Sequence, residues 1–539
     1  KHKGQRPAPG SPQGPGLKPH QRAPKMAMAL KESPEVLPLA KRAVGLVQDL
    51  GEDGDSLEQQ ELSEKRQDAE RALSTKSPAE ALKVCVMALE QMLVAGISVQ
   101  IIGNTAADGQ IMGNSVAITG KKAHLIRARL REILWVAKDA QGFLRDMGDQ
   151  VGRACALKAL ARVHLSRSDE LDAPMAAQRA AKDAVKAFHD ADEPALEAEA
   201  LLTLSEAHLI KATLSPYEKV VAEERDRAVQ ATRQAASIFK KLDDKKGEGR
   251  ALHSMATVLL RSDDEDEQLD AEWHIQESIE LFRGIKAWDL ECNSLMTMVS
   301  ARIATSGPEQ AALFAKDTAA DFRREGTRAK HEAMALHAAA EVHLSLQQLD
   351  EAKEHCKEAY RIFNRASNKR GCAGVLQTLF QIASAKGDLS QAMQAGEEAV
   401  AAFQDADDRR GEGSILAALA DTILTKLSTE VAQDTDAASA KQDPVNGLTP
   451  DEVSRRADQG LDFANRAFGA YEEVGDQQGM AEVQNVIQAC FQKTVDVYCA
   501  NTEPDRIYTT LEVDGPKEKE SVLEWSVEFP HAKRLIMTS

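Results

Sequence analysis

The sequence predicts an all-α fold of stacked, antiparallel helix pairs, and three observations lead to this prediction. Alanine is abundant, whereas Phe, Trp and Tyr together make up 4% of the 539 residues. A stripe of small residues ending in one large apolar residue recurs along the chain, and a helix-capping residue and a glycine follow many of these stripes at fixed distances. Small residues let helices pack closely, and a recurrent unit of this length is typical of solenoid proteins.

The recurrent stripe has three small residues and one large residue, separated by four, three and four positions. These steps place all four side chains on one face of an α-helix. Because one helix pair cannot bury such a face alone, neighbouring pairs stack to complete the core. The stripe is found at Ala81-Cys85-Ala88-Met92, Ala177-Ala181-Ala184-Phe188, Ala228-Thr232-Ala235-Phe239, Ala271-Ile275-Ser278-Phe282, Ala311-Ala315-Thr318-Phe322, Ala352-Cys356-Ala359-Phe363, Ala392-Gly396-Ala399-Phe403 and Gly460-Ala464-Ala467-Tyr471.

The large residue of each stripe, called the anchor below, returns at a near-constant interval. Phe282, Phe322, Phe363 and Phe403 are 40, 41 and 40 residues apart. Five residues past an anchor stands a residue type that caps helices. Three residues later a glycine is frequent, and its missing Cβ lets the next helix approach closely. The predicted caps are Asp244, Thr327, Asn368, Asp408 and Asp476, with Asp149 one position late, and the glycines are Gly152, Gly247, Gly371, Gly411 and Gly479.

The pattern resembles tetratricopeptide repeats with the longer, roughly 40-residue spacing. Ala392, Gly396 and Ala399 match the small residues of that family's second helix, and Gly247–Leu260 is similar to the unit of partner-of-inscuteable-type adaptors. Where those adaptors carry Leu-Gly-Asn-x-Tyr, this chain has Met255–Leu259, without the Asn. The resemblance covers roughly residues 34–500 and implies a right-handed α-solenoid of the repeat family rather than the full adaptor.

The chain divides into three predicted regions. Residues 1–25 are basic and rich in Pro and Gly, which predicts a disordered segment. The helical repeats are predicted over residues 26–500. In the extension 501–539, two β-forming runs, Ile507–Val513 and Val522–Phe529, flank a turn and predict a short hairpin.

Three segments interrupt the repeat. Residues 96–120 are rich in Gly, Asn and Ile, which predicts a loop or short hairpin leading into a long helix over Lys121–Met147. Residues 262–270 predict an acidic loop, and residues 428–450 predict a polar insertion between two helices. Insertions of this kind go to exposed loops.

Charge and cysteine content exclude several classes of function. The formal net charge of −18 disfavours nucleic-acid binding, which rests on Lys and Arg neutralising phosphates, and disfavours anionic membranes. No uninterrupted apolar run of membrane-spanning length is present. The seven cysteines are odd in number and form no C-x-x-C pair, and there is no N-x-[ST] sequon. We therefore expect an intracellular, cytoplasmic protein with reduced thiols.

The sequence offers no catalytic or cofactor motif. The run Gly113–Lys122 is similar to a phosphate-binding loop, but it has six residues between its glycines instead of four, and Lys122 replaces the hydroxyl. His164, His208 and His343 fill one repeat position in separate units, and we interpret them as flat rings in place of an aromatic residue, because a metal needs ligands that converge. We expect no enzyme activity, no metal and no cofactor.

The resemblance implies that the first helix of each pair lines a concave groove. The predicted function is a scaffold or adaptor that binds an extended or helical segment of a partner protein, basic or mixed in charge, in that groove. Two alternatives are an architectural subunit held through its convex face and tail, and a non-catalytic regulatory subunit of an enzyme. The candidate partner-binding residues are Lys158, Arg162, Glu206, Arg250, His253, Thr257, His337, Glu341, Gln377, Gln381 and Asp421.

Overall fold

The protein is described by a computed structural model, which covers residues 36–50, 67, 71, 78–96, 98–105, 111–119, 123–167, 172–439, 450–474, 476 and 479–488. The predicted N-terminal segment 1–25 and the predicted C-terminal hairpin lie outside the described residues. The elements are α1 Val36–Leu50, α2 Pro78–Gly96, β1 Ser98–Thr105, β2 Ile111–Thr119, α3 Ala123–Asp146, α4 Gln150–Leu165, α5 Ala173–Asp190, α6 Pro194–Leu214, α7 Glu218–Lys241, α8 Lys245–Leu259, α9 Glu265–Gly284, α10 Trp288–Thr305, α11 Pro308–Glu325, α12 Ala329–Ser345, α13 Leu349–Arg365, α14 Lys369–Ala385, α15 Leu389–Asp405, α16 Arg409–Ser439 and α17 Pro450–Val474. Residues 479–488 are also helical.

The fold is all-α and tetratricopeptide-like, as predicted, with one small hairpin. The chain divides into two compact units, Lys1–Thr378 and Leu379–Ser539, so that the boundary falls within α14. From α5 to α13, consecutive helices are joined by short turns and lie against each other as antiparallel pairs. From α4 onward, even-numbered helices are the first of a pair and odd-numbered helices are the second.

The anchors and small residues of the stripes form the core. Phe188, Phe239 and Phe282 are among the largest fully buried side chains of the described residues, and Phe363 and Phe403 are also buried. The alanines of each described stripe are buried as well. The apolar face of each helix pair is therefore buried against the neighbouring pairs rather than in one central core.

Each standard turn between pairs is organised by the carbonyl of the anchor. At Phe363, this carbonyl accepts a hydrogen bond from the backbone N–H of Asn368 at 2.9 Å, which closes the helix in a Schellman-type turn. Ser367, just before the cap, has a left-handed backbone with φ of 52°. The side chain of Asn368 then accepts from the backbone N–H of Gly371 at 3.0 Å and caps α14. The same bonds recur at Asp244, Asp408 and Asp476.

At four turns, the glycine three residues after the cap is required by contact with the anchor ring; these are Gly247, Gly371, Gly411 and Gly479. A Cβ added at Gly371 would lie 2.6 Å from the ring of Phe363, and one at Gly247 would lie 2.3 Å from the ring of Phe239. Such distances are well inside van der Waals contact, so no side chain fits without a shift. The predicted close approach of the next helix is therefore a contact between the anchor ring and the backbone of the glycine.

Two of the predicted caps need correction. Asp149 is not late, because its N–H donates to the carbonyl of Leu144 at 2.9 Å, so Leu144, five residues earlier, is the anchor of that turn. Thr327 is not a cap, because Gly326 takes the left-handed conformation, with φ of 72°, and α12 begins one residue later with Arg328 as its N-cap.

The interruptions also differ in part from the prediction. Ser98–Thr105 and Ile111–Thr119 pair as antiparallel strands, in which Ser98 pairs with Thr119 and the register shifts at Asn104/Thr105. The acidic segment is mostly helix, because Asp264 caps α9 and the carboxylates of its first turn are stabilised by the positive end of the helix dipole. The predicted insertion at 428–450 begins as a continuation of α16 to Ser439, and α17 starts at Pro450.

Candidate functional site

The first-helix face is built from residues at fixed positions after each N-cap. In the first unit, the ninth residue after the cap is Lys158 on α4, His253 on α8 and His337 on α12. One helical turn later, the thirteenth residue is Arg162, Glu206, Thr257 or Glu341. Residues four apart share a helix face, so these columns form parallel rows across the stacked first helices.

A row of alternating charges crosses the N-terminal first helices. Lys158 on α4 is almost fully buried and pairs with Glu90 of α2 at 3.3 Å and with Glu199 of α6. Glu199 in turn lies 4.0 Å from Arg250 of α8. Burial by itself would raise the pKa of Glu199, but the charge and hydrogen bond of Lys158 hold it below its ordinary value. We call Glu90, Lys158, Glu199 and Arg250 the charge row.

A second pair lies one turn along the same helices. Arg162 of α4 donates a hydrogen bond to Glu206 of α6, and both side chains are mostly buried. Lys158, Arg162 and Glu206, which the sequence places in a partner-binding groove, are thus bound to their counterparts in adjoining repeats. A partner that used these charges would first have to break the pairs, at the cost of leaving charges unpaired.

Histidines stand at the ninth position after the N-cap on α8 and on α12. His253 Nδ1 lies 3.1 Å from Ser294 Oγ on α10, and burial lowers the pKa of His253 to about 4, so the ring is uncharged at neutral pH. Thr257 Oγ1 donates to the carbonyl of His253 in its own helix. His337 Nε2 lies 2.8 Å from Thr378 Oγ1. These candidates also have partners inside the chain.

Other first-helix positions reach solvent. The side chain of Glu341 is 60% exposed, Arg250 is about one-third exposed and Gln377 is half-buried. Gln381 and Asp421 are exposed and belong to the second unit.

Comparison of the repeat units within the sequence did not identify the exposed positions of α10. Asn293 and Ser300 are both exposed, and Ser300 is the thirteenth residue after the N-cap, equivalent to Arg162 and Glu206. The unit was missed because its N-cap is Ala287, which has no side-chain oxygen, and because no glycine follows it. The Phe282 anchor five residues earlier is the signal that locates it.

A buried carboxylate cluster joins α5, α6 and α7. Glu224 is 2% exposed, with Oε1 accepting from Lys211 at 2.9 Å and from Arg227 at 2.6 Å. Its Oε2 accepts from Gln178 at 2.7 Å and lies 2.6 Å from His208 Nδ1. Burial alone would raise the pKa of Glu224, but these donors lower it to about 2. Each carboxylate oxygen of Glu224 has two hydrogen-bond partners within the chain. We therefore assign Glu224 a structural role.

The recurrent histidines serve different purposes. His208 is held against Glu224, and burial lowers its pKa despite the carboxylate. His343 bonds to Gln348 and stacks on His355, with ring centroids 5.2 Å apart. Among the described residues, no group of three or more His, Cys, Asp and Glu is placed to hold a metal ion.

The described cysteines are free and buried, and burial raises the pKa of Cys85, Cys155, Cys292 and Cys356 to about 12. These thiols are protonated at neutral pH and are poor nucleophiles. Within the described part of the chain, none of the helices is both long and apolar enough to cross a membrane.

No protein-family model and no curated protein sequence matches the chain. Among solved structures, it is similar to a Rap protein complexed with Competence and Sporulation Factor, with a TM-score of 0.32 and 12% identity over 70% of this chain and 99% of that one. It is similar to aspartyl phosphate phosphatase F from Bacillus subtilis, with a TM-score of 0.35 and 11% identity over 72% and 96% of the two chains. A third is the signal transduction ATPase with numerous domains and a tetratricopeptide repeat sensor from Pyrococcus horikoshii, with a TM-score of 0.34 and 12% identity over 80% and 71%. At these values no partner or activity is transferred, and the functional argument rests on the residues of this chain.

Proposed function

We propose that the protein is a non-catalytic interaction scaffold, and that its first-helix face binds an extended segment of a partner protein. The observation that carries the proposal is that exposed polar side chains return at equivalent positions, Ser300 on α10 and Glu341 on α12. Asn293, seven residues before Ser300 on α10, is also exposed. Polar side chains repeated along a stack present a regular row of hydrogen-bonding groups to an extended chain.

The spacing of the row suits an extended backbone. Neighbouring helices pack with axes roughly 8–10 Å apart, and an extended chain advances about 3.3 Å per residue. One repeat therefore matches about three residues of a bound segment. This ratio places every third residue of the segment, approximately, over the next first helix.

The proposed partner is mixed in charge, with a basic group opposite Glu341. The side chains of the charge row and of the Arg162–Glu206 pair form ion pairs within the chain, so they offer a partner no free charges. Glu341 is an exposed carboxylate in the part of the face where His253 is hydrogen-bonded to Ser294 and His337 to Thr378. A Lys or Arg there would pair with Glu341, whose contact within the chain is His337 Nε2 at 3.7 Å.

Catalysis is not part of the proposal. The most perturbed carboxylate, Glu224, is saturated by four donors, and the perturbed thiols are buried. A general base needs a free lone pair within reach of the substrate. Neither group supplies one.

Site-specific photocrosslinking tests the proposed face. A photoreactive amino acid replaces Ser300 or Glu341 in separate variants, and Glu354, exposed on the second helix α13, gives the matched control. We expect positions 300 and 341 to capture the same partner, at partner residues about three apart. Capture from position 354 alone, or of unrelated proteins from 300 and 341, would contradict the proposal.

A charge reversal gives the second readout. Glu341→Lys should weaken binding of the captured partner while leaving the melting temperature unchanged, because the side chain is 60% exposed. Glu206→Lys is a poor test, since it removes the buried pair with Arg162 and would change the stacking of α4 on α6.

A further inference from the structure

The second helix α9 carries two large apolar side chains on its outer face. Trp273 is 61% exposed and Leu269, one turn before it, is 55% exposed. On the next second helix, α11, Leu313 is 53% exposed. Exposed tryptophan is uncommon on a surface that has no partner, and tryptophan is enriched where proteins bind each other.

The repeat supplies its own comparison for these positions. Trp273 and Leu313 each stand two residues after the first buried alanine of their helix, Ala271 and Ala311. The equivalent exposed residues on the other second helices of the first unit are Arg179 on α5, Gln230 on α7 and Glu354 on α13. The fold therefore accepts polar residues at this position, and stacking does not explain the tryptophan.

Carboxylates surround Trp273 along its own helix. Asp270 and Glu277 lie three residues before and four residues after it, which places both beside the ring on the helix surface. Asp270 and Glu277 have no ion-pair partner among the described residues. Of the basic groups in this region, Arg225 pairs with Glu267 at 3.3 Å and Arg283 with Glu291 at 2.9 Å, while Arg233 of α7 lies near His274.

We propose that the outer face of α9, extended by Leu313, docks a basic segment of a partner protein. A Lys or Arg of that segment lies over the indole of Trp273, where the negative face of the ring attracts a cation. The same cation pairs with Asp270 or Glu277, and an aliphatic side chain of the segment covers Leu269. This surface lies on second helices and is separate from the first-helix face, so one chain has two independent binding surfaces.

Fluorescence anisotropy with synthetic peptides tests the surface on the full chain. The probe is a short, labelled peptide of Arg, Leu and Ala, and two matched peptides replace every Arg by Glu or every Leu by Ser. We expect the Arg/Leu peptide to bind, the Glu peptide not to bind, and the Ser peptide to bind more weakly. Affinity should fall as salt is added, because exposed charges are screened.

Variants separate the docking surface from general attraction to an acidic protein. Trp273→Ala should weaken the Arg/Leu peptide by about tenfold or more, as loss of a central aromatic does. Asp270→Asn with Glu277→Gln should weaken it and flatten its salt dependence. Gln230→Ala, at the matching position of α7, should leave affinity unchanged, and a constant melting temperature shows that each variant is folded.

Three results would overturn the inference. They are full affinity in Trp273→Ala, equal binding of the Glu peptide, and absence of binding by every peptide. Ser300→Lys distinguishes this surface from the first-helix face, because it should disturb the partner crosslinked there and leave the Arg/Leu peptide bound.

Discussion

Two turns of the first unit make the same step between helix pairs with different chemistry. At Phe363, the anchor ring lies against the bare backbone of Gly371, and Asn368 caps the next helix. At Phe322, the equivalent places are taken by Arg328 as N-cap and His331 three residues later.

In the second turn, a buried Arg–Glu ion pair next to two aromatic rings takes the place of the contact between ring and glycine. The guanidinium of Arg328 lies 4.2 Å from the ring centre of Phe322 and 4.7 Å from that of Trp288, and it donates to the fully buried Glu291 at 2.9 Å. His331 lies tilted over Phe322 with centroids 5.8 Å apart.

The comparison shows that the repeat fixes a backbone path and an anchor, while the contents of the turn are free to vary. A glycine turn depends on exclusion of a side chain, which is insensitive to pH. An arginine turn depends on charges and on a histidine, so it is sensitive to removal of a partner and to protonation. The following experiments separate these two modes of stabilisation.

The largest effect is expected for loss of the anchor at the glycine turn. Phe363→Ala should lower the free energy of unfolding by about 3–5 kcal/mol, because it removes a buried aromatic ring and leaves a cavity. Urea denaturation followed by circular dichroism measures the loss. Leu313→Ala, which truncates an exposed side chain, is the control and should change stability by less than about 0.5 kcal/mol. A loss under about 1 kcal/mol for Phe363→Ala would show that the anchor is not core.

Removal of the cation from the arginine turn comes next. Arg328→Ala should cost about 3 kcal/mol, because it leaves the buried Glu291 with Arg283 as its remaining partner. The double variant Arg328→Met with Glu291→Leu should be more stable than the single one, since no buried charge is left unpaired. If the double variant is the less stable of the two, the turn is held by packing around the guanidinium rather than by charge.

A single methyl group at the glycine turn should have a smaller cost. Gly371→Ala places a Cβ 2.6 Å from the Phe363 ring and should destabilise the unit by about 1–3 kcal/mol through overpacking. Gly142, inside α3 and with nothing within 4 Å of an added Cβ, is the matched control. Gly142→Ala should stabilise by up to about 1 kcal/mol, because alanine favours a helix over glycine. Equal effects at both positions would argue against the ring contact.

The smallest expected effect is the contribution of His331, in the arginine turn, to the pH dependence of stability. Burial lowers the pKa of His331, against the hydrogen bond and charge of Asp289, while Arg328 and Lys330 lower it further. The folded protein then resists protonation that the unfolded chain accepts, so this contribution is present above the ordinary histidine pKa and is lost as the pH falls below it. The change in melting temperature between pH 7.5 and pH 5.5 should be smaller in His331→Gln than in the wild type. The same slope in both proteins would mean that other histidines, such as His253, cause it.

The anchors were the most predictable part of the fold. Spacing alone located Phe363, its cap Asn368 and its glycine Gly371, because these contacts are local and the same side chains return in successive units. The pattern failed where chemistry changed, at Leu144, which is aliphatic, and at Arg328, whose partners come from a preceding repeat. No local sequence rule predicts an arginine at the N-cap position, where aspartate or asparagine is usual.

The first-helix candidates were predictable as positions but not as environments. Helical periodicity predicts that Lys158 and Arg162 share one face of α4, and in the structure Lys158 pairs with Glu199 and Arg162 with Glu206. Whether a charge on that face is free or paired depends on the distance to a side chain about one repeat away. The sequence therefore overstates how many of these groups are available to a partner.

By itself, the sequence determined the all-α architecture, the anchors and the need for glycine beneath them, since hydrophobic periodicity and backbone sterics act within a few helical turns. Only the tertiary structure decided which charges neutralise each other in the charge row and which apolar groups, such as Trp273, stay exposed. Both outcomes depend on how closely helices of different repeats approach, because Coulomb attraction and burial depend on distance and shape rather than on order along the chain.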